Sequence, residues 1–166
     1  MRPDHPNAAA IQRFYEAFQR LDGPAMAPLY HPSARFSDPA FPGLVGPEVP
    51  GMWAMLCEAA QDFELTFSGV QADDEAGEAR WEAHYTFGPT GRRVHNVVHA
   101  HFRFEGAQVT EHRDDFDFGR WARQALGLPG LLFGWSGFLQ KTVQGQALKG
   151  LKKFMKSAAP QDAAAS

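Results

Sequence analysis

The 166-residue sequence predicts an α+β fold, in which three N-terminal helices pack on one face of a curved antiparallel β-sheet and a helical extension follows. Two observations support this prediction. Apolar residues recur at spacings of three and four in the first third of the chain, and four runs with strand-like alternation come after them. The separators between these runs are short enough for β-hairpins. Helices first and a β-meander afterwards is a layout typical of α+β domains.

The predicted helices occupy residues 8–21, 25–30 and 52–63. Ile11, Phe14 and Phe18 give the first helix one apolar face, and the Asp-Gly-Pro sequence after Leu21 stops it. A short extended segment at residues 34–39 follows the second helix. The proline- and glycine-rich stretch up to Gly51 predicts a loop, and two of its prolines blur the start of the third helix.

The predicted strands occupy residues 64–72, 78–87, 94–105 and 108–118. Beyond them, residues 119–157 show largely helical spacing with a break at residues 127–130, which predicts an amphipathic extension of the same domain. The expected organisation is therefore a pocket domain at residues 1–118, the extension at 119–157, and a disordered alanine- and serine-rich tail at 158–166.

Charge is distributed unevenly along the chain. Up to Phe118 there are 9 lysines and arginines against 18 acidic residues, and after it there are 7 against 1. We expect the basic extension to dock on the acidic body and expect no nucleic-acid partner, while contact of the extension with a membrane surface stays open as a minor alternative. The single Cys57 excludes an internal disulfide, and the first residues lack an apolar signal-like run, so we expect a cytoplasmic protein.

The last two predicted strands carry the residues that could do chemistry. Alternation places His112 and Asp114 on the inner face, towards the helices. We expect the hairpin to pair Ala100 with His112 and Val98 with Asp114, which would leave open space beside the small Ala100. A histidine and a carboxylate on one face of an apolar cavity could transfer protons.

Three further histidines, His95, His99 and His101, alternate onto the opposite face of the sheet. A His-x-His pair on a strand can bind a metal ion, but these side chains point away from the predicted cavity and have charged neighbours across the strand. We therefore expect no metal site there. A polar outer sheet face that forms a homodimer interface is the preferred interpretation.

Several motifs together resemble one superfamily. Ile11-Gln12-Arg13-Phe14 in the first helix, Phe36-Ser37-Asp38-Pro39 after the second helix and His101-Phe102-Arg103-Phe104 in a late strand are similar to those of the nuclear transport factor 2-like superfamily. Within it, the chain most resembles the ketosteroid isomerase and SnoaL-like polyketide cyclase branch, over about residues 8–118. The resemblance implies a cone-shaped fold with an apolar pocket between sheet and helices, and commonly a dimer.

The resemblance also implies roles for individual residues. The general-base aspartate of the isomerase falls on Asp38, whereas its two oxyanion-holding residues fall on Phe14 and Ala100, which cannot donate hydrogen bonds. Because loss of one such donor typically costs about 10²–10³ in rate, steroid isomerisation by the same route is not expected. His112 is the preferred replacement donor. Asp114 also resembles the water-activating aspartate of limonene epoxide hydrolases, although the partner residues of that site lack clear counterparts.

From these observations we predict a small-molecule protein that binds an apolar, cyclic or carbonyl-bearing ligand and transfers protons without a cofactor, in isomerisation, cyclisation or hydration. The predicted catalytic residues are Asp38, His112 and Asp114. The predicted pocket consists of Phe14, Tyr15, Trp53, Leu56, Phe63, Tyr85, Phe87, Asn96, Val98, Ala100, Phe102 and Phe116. A non-enzymatic ligand-binding or protein-interaction module is the alternative, because one fold can serve both purposes.

Overall fold

A computed structural model describes residues 1–159. Its helices are α1 (Pro6–Gln19), α2 (Gly23–Met26), α3 (Glu48–Ala59), α4 (Phe118–Leu126), α5 (Leu128–Phe133) and α6 (Gly137–Ala158). Its strands are β1 (Tyr30–Ser37), β2 (Leu44–Val45), β3 (Glu64–Ala72), β4 (Ala76–Phe87), β5 (Arg92–Glu105) and β6 (Gln108–Asp115). The predicted α+β class with a C-terminal helix is confirmed. Of the tail predicted to be disordered, residues 160–166 lie outside the described residues, while Ala158 ends α6.

The six strands form one sheet in the order β2-β1-β6-β5-β4-β3. The meander from β3 to β6 is antiparallel, as predicted. The predicted antiparallel sheet is extended by one parallel pair, because the extended segment after the second helix forms β1 and pairs with β6 in parallel. The sheet is therefore mixed, and the parallel pair places the end of β1 beside the end of β6.

The hairpin between β5 and β6 turns at the predicted residues, but its register differs from the predicted one. Glu105 pairs with Gln108 at the turn, one residue further along β6 than the predicted register implies. A bulge near Thr110 adds a second residue, so that Ala100 pairs with Asp114 and Phe102 pairs with His112. The expected pairing of Ala100 with His112 is wrong by two residues. Because two residues is one full period of a strand, the inward orientation of His112 and Asp114 is retained.

Several element boundaries differ from the predicted ones, and three of these differences have identifiable reasons. Helix α3 begins four residues earlier, because Pro50 lies in its first turn, where backbone N–H groups have no acceptor within the helix. Strand β1 already begins at Tyr30, which the sequence placed in a helix. Strand β6 ends before Phe118, because the side chain of Asp117 accepts a hydrogen bond from the backbone N–H of Arg120 and caps α4.

The main core lies between the inner sheet face and helices α1 and α3. Ile11, Phe14 and Phe18 of α1 are buried there, as their spacing predicts. Leu151 of α6 belongs to the same core and is 2 % exposed. A second apolar cluster forms where α4 packs on β5, with Trp121 against Phe87. The extension is thus packed on both the helices and the sheet.

Searched along residues 1–159, the structure has no helix both long and apolar enough to cross a membrane.

Candidate functional site

The ends of β1 and β6 bring two carboxyl groups together. Ser37 is the last residue of β1 and pairs with Arg113, so Asp38 and Asp114 follow side by side. Strand alternation turns Asp114 towards the interior, the face shared by Phe36 and His112, whose rings are 5.0 Å apart, and the charge of Asp114 acts on the Asp38 carboxyl. Two of the three predicted catalytic residues therefore lie at the same end of the β1–β6 pair, and His112 lies two residues before Asp114 on the same face of β6.

Asp38 forms the turn that follows β1. Its Oδ1 accepts hydrogen bonds from the backbone N–H groups of Ala40 at 2.7 Å and Phe41 at 2.6 Å. Burial raises the pKa of the Asp38 carboxyl to about 7, the two backbone hydrogen bonds oppose this shift, and the negative charge of Asp114 adds to it. Asp38 therefore stabilises the turn through these hydrogen bonds, and its pKa is suited to accepting a proton near neutral pH.

A buried hydrogen-bond chain ends on Asp114. Trp53 donates from Nε1 to the hydroxyl of Tyr30 at 2.8 Å, the Tyr30 hydroxyl lies 2.7 Å from Nδ1 of His112, and Nε2 of His112 lies 2.9 Å from Oδ1 of Asp114. With Asp114 as a carboxylate, Nε2 carries the proton and Nδ1 accepts from Tyr30. Both ring nitrogens of His112 therefore have a hydrogen-bond partner inside the protein.

Aromatic rings enclose His112 on several sides. The ring of Phe102 lies 4.2 Å away, and the rings of Phe36, Trp53 and Phe14 lie between 5.0 and 6.0 Å away. Such an apolar surrounding strengthens the polar interactions inside it. The same burial, together with the charge of Asp114, raises the pKa of the Tyr30 hydroxyl well above its ordinary value.

Two buried donors in this interior have no hydrogen-bond partner among residues 1–159. They are the hydroxyl of Tyr15 and Nε1 of Trp81, on rings whose centroids are 6.3 Å apart. Burial raises the pKa of Tyr15, and the charge of Asp114 contributes to this, so Tyr15 lies within electrostatic reach of that carboxylate. Unpaired buried donors are uncommon and costly, and they need an explanation.

The residues predicted to line a pocket are mostly packed together. Phe14, Tyr15, Trp53, Val98, Ala100 and Phe102 are buried in the main core, with Leu56, Phe63, Tyr85 and Phe116 packed against it, Asn96 buried, and Phe87 in the second cluster. Ala100 faces Asp114 in the register observed, so a carboxyl group lies where open space was expected. The neighbouring strand β6 thus places the carboxyl group of Asp114 beside Ala100.

Two cavities lie around this interior. One of about 390 Å³ is lined by Asn96, Val97, His99, Asp115, Phe116, Asp117 and Arg120. A smaller one of about 140 Å³ is lined by Ala10, Arg13, Phe14, Ala25, Pro28, Leu29 and Ala107. Neither set includes Asp38, His112 or Asp114, and each shares only one or two residues with the predicted pocket.

Sequence reasoning missed Tyr30 and Trp81. Tyr30 falls at the end of a predicted helix, and its inward orientation does not follow from simple alternation, because Pro32 is exposed and the register of β1 shifts between Tyr30 and Arg35. Trp81 lies on the inward-facing side of a predicted strand, where the sequence does not distinguish it from any other core residue. The sequence carries no signal that its N–H lacks an acceptor, because that depends on the packing around it.

The C-terminal extension reaches the Asp38 turn. Gln140 and Gln144 of α6 each donate a side-chain N–H to the carbonyl of Pro39, at 3.1 and 3.0 Å. Trp121 of α4 donates from Nε1 to the hydroxyl of Tyr85 at 2.9 Å, and the charge of Asp38 contributes to raising the pKa of that hydroxyl, after burial. The extension therefore borders the candidate site.

The outer sheet face is polar. His84 and His95 stack with ring centroids 4.1 Å apart, and Nε2 of His95 lies 2.8 Å from Glu82. His101 faces Arg113 across the hairpin and lies 3.5 Å from Asp115. Over residues 1–159, no group of three histidine, cysteine or acidic side chains is placed to hold a metal ion.

The family model of the SnoaL-like domain matches residues 11–112, which is more than half of the chain. A comparison with curated protein sequences finds no significant match. The resemblance inferred from the sequence is confirmed by the matching family model and by the solved structures of the same fold.

Among the solved structures, a protein from Jannaschia assigned to the SnoaL-like polyketide cyclases is 16% identical, with a TM-score of 0.65 over 75% of this chain and 94% of that one. A Catenulispora acidiphila protein with a ketosteroid isomerase-like fold, solved with trimethylamine, is 14% identical, with a TM-score of 0.63 over 78% and 97%. An LEH-like epoxide hydrolase from M. tuberculosis is 20% identical, with a TM-score of 0.60 over 81% and 95%.

Proposed function

Because the chain belongs to the SnoaL-like domain family, we propose that it encloses a small apolar, carbonyl-bearing molecule and moves a proton on that molecule without a cofactor. The observation that carries the proposal is the juxtaposition of Asp38 and Asp114 at the ends of the parallel strands β1 and β6. Two carboxyl groups close together in an aromatic interior can transfer protons to and from a bound molecule, and they are not needed to pack the core.

In the proposed reaction, the Asp38 carboxylate takes a proton from the carbon beside the carbonyl group. The C–H electron pair forms the enolate double bond, and the carbonyl electrons move to the oxygen. In a molecule with a double bond one carbon further from the carbonyl, Asp38 then returns the proton to the far carbon of that double bond, which isomerises the molecule. In a molecule with a second carbonyl group, the enolate carbon instead bonds to that carbonyl carbon, which closes a ring, and the oxygen that receives the displaced electron pair takes the proton back from Asp38. A pKa near 7 supports the role of Asp38, because a base of that pKa accepts and returns a proton readily.

The developing oxyanion needs a hydrogen-bond donor, and Tyr15 and Trp81 are the preferred candidates. Both donors are buried and lack partners within the described chain. His112 fits this role less well than the sequence indicated, since Tyr30 and Asp114 already occupy its nitrogens. In the proposal His112 is instead a positioning residue, which fixes the carboxyl group of Asp114 beside the substrate.

The test of this proposal uses 2-tetralone, an apolar cyclic ketone whose α-protons exchange with D₂O and can be followed by NMR. Asp38→Asn keeps an oxygen that can accept the turn hydrogen bonds but cannot act as the base. We expect it to reduce α-proton exchange by about 10²-fold or more. Asp115→Asn, which changes an exposed carboxylate on the outer face of β6, is the matched control and should leave exchange unchanged. Equal exchange by wild type and Asp38→Asn would exclude Asp38 as the base.

A second candidate function is binding without catalysis. It is favoured by the internal hydrogen bonds, since Trp53, Tyr30, His112 and Asp114 satisfy one another without a substrate. The apolar phenol 2-naphthol, whose fluorescence reports its environment, distinguishes the two. Saturable binding of 2-naphthol together with no catalysed exchange on 2-tetralone would support a binding module.

A further inference from the structure

The end of the chain carries a large exposed apolar surface. Six side chains of α5, the following turn and the start of α6 form it, and we call it the apolar tip. With their exposed fractions they are Leu128 (71%), Leu131 (59%), Leu132 (58%), Phe133 (55%), Trp135 (84%) and Phe138 (82%). A monomeric protein rarely exposes so many large apolar side chains next to one another, and such patches mark interaction sites.

A row of cations continues from the apolar tip along α6. Five exposed lysines make up this lysine face, namely Lys141, Lys149, Lys152, Lys153 and Lys156. At 100° per residue, all of them lie within about 60° of the direction of Phe138 around the helix axis. Phe138, the part of the apolar tip that belongs to α6, and the lysine face therefore share one side of that helix.

The opposite side of α6 is attached to the protein. Leu151 is buried in the main core, and Gln140 and Gln144 bind the carbonyl of Pro39. The helix is thus held with its lysine face outwards, and this orientation does not depend on a partner.

Charge indicates which partner fits this surface. Residues 119–159 contain seven lysines and arginines and no acidic residue, whereas residues 1–118 have a formal charge of 9 − 18 = −9. A surface that is itself anionic would repel the body of the protein and attract only this side. Leucine, phenylalanine and tryptophan beside a row of lysines are the side chains that interfacial helices place in the headgroup region of an anionic bilayer.

We propose that the apolar tip and the lysine face together dock the protein on the surface of an anionic phospholipid bilayer. A second copy of the chain fits less well. Among the large apolar residues described outside the tip, only Met1 and Val45 are exposed, so the body offers no matching apolar surface. Two tips packed on each other would bring two lysine faces close together, and their like charges would repel.

The experiment is co-sedimentation of the full chain with vesicles of phosphatidylcholine containing phosphatidylglycerol, and with vesicles of phosphatidylcholine alone. One variant, Trp135→Ser/Phe138→Ser, removes the aromatic part of the apolar tip. A second, Lys149→Gln/Lys152→Gln/Lys153→Gln/Lys156→Gln, removes most of the lysine face. All six positions are exposed, so the fold should be retained, and circular dichroism checks this.

The matched control variants make the same kinds of substitution at exposed positions within residues 1–118. Arg13→Gln/Arg20→Gln/Arg35→Gln/Arg103→Gln removes four exposed cations, and Val45→Ser removes an exposed apolar side chain. We expect the wild type and both controls to bind anionic vesicles and to dissociate from them at high salt. We expect the tip variant and the lysine variant each to bind these vesicles at least about tenfold more weakly than the wild type.

Several results would overturn the proposal. They are equal binding to both kinds of vesicle, no binding to either, and full binding by the tip or lysine variant. A wild-type dimer that Trp135→Ser/Phe138→Ser converts to monomer, with no vesicle binding by either form, would assign the surface to contact between copies of the chain.

Discussion

At the scale of single residues, the hydroxyl of Tyr15 connects the structure with its proposed function. It is fully buried, lies near Asp114 and has no partner within residues 1–159. The hydroxyl of Tyr30 lies in the same interior but is engaged by both Trp53 and His112. Two tyrosines of similar burial therefore differ in one respect, which is whether the protein itself satisfies the hydroxyl group.

This difference predicts opposite effects of the same substitution. Tyr15→Phe should leave the free energy of unfolding unchanged or raise it by up to about 1 kcal/mol, because it removes an unpaired buried group. It should also weaken binding of 2-naphthol by about five- to tenfold, the equivalent of one hydrogen bond. Urea unfolding and fluorescence titration measure the two quantities.

Tyr30→Phe is the control for Tyr15→Phe. It deprives Trp53 of its acceptor and His112 of a partner, so the free energy of unfolding should fall by about 1–3 kcal/mol. If Tyr15→Phe destabilised the protein as much as Tyr30→Phe, the Tyr15 hydroxyl would have a structural partner and the proposed ligand contact would be wrong.

At the scale of elements, the alternation of the strands was predictable and their partners were not. The period of two in β4, β5 and β6 assigns inward and outward residues correctly, including His112 and Asp114. The register across the hairpin depends on the bulge near Thr110, which nothing in the local sequence marks. The parallel pairing of β1 with β6 joins segments more than 70 residues apart, so Asp38 and Asp114 could not be placed side by side from the sequence alone.

Helix boundaries, like the strands, were predictable from the sequence only in part. Apolar spacing located α1 to within two residues at each end, because it reports which face is buried. The start of α3 was predicted four residues late, because the effect of a proline depends on its position in the first turn. A capping side chain such as Asp117 can be found in the sequence only after the end of the strand before it is known.

The contact between α6 and the turn after β1 gives a prediction for an element. Gln140→Ala/Gln144→Ala removes both donors to the Pro39 carbonyl and should lower the free energy of unfolding by about 1–2 kcal/mol. It should also reduce exchange on 2-tetralone, because the Asp38 turn is less firmly held. Gln146→Ala, at an exposed position of the same helix, should change neither quantity. Identical behaviour of the two variants would exclude a role of α6 in supporting the site.

At the scale of the whole molecule, the charge asymmetry seen in the sequence has a structural counterpart. The acidic part contains the sheet, the core helices and the candidate site. The basic part packs on it through α4 and through one side of α6, while the other side of α6 is exposed. We proposed from the sequence that the extension docks on the body, and from the structure that its exposed side binds a lipid surface. Both proposals use different sides of the same helix and are compatible.

Leu151 tests how far the extension contributes to the stability of the domain. It is 2 % exposed and lies in the main core, so Leu151→Ala should lower the free energy of unfolding by about 2–4 kcal/mol. Leu131→Ala, at a position that is 59% exposed, should change it by less than about 0.5 kcal/mol. A small effect at Leu151 in thermal or urea unfolding would mean that the body folds without support from α6.

The juxtaposition of Asp38 with Asp114 is tested most directly by NMR titration of ¹³C-labelled aspartate carboxyl groups. We predict that Asp38 titrates near pH 7, because burial and the neighbouring negative charge both disfavour its ionised form. In Asp114→Asn, which removes that charge and keeps an oxygen acceptor for His112, the pKa of Asp38 should decrease. A pKa of Asp38 near its ordinary value of 3.8 that Asp114→Asn leaves unchanged would contradict the shared site and the proposed role of Asp38 as a base.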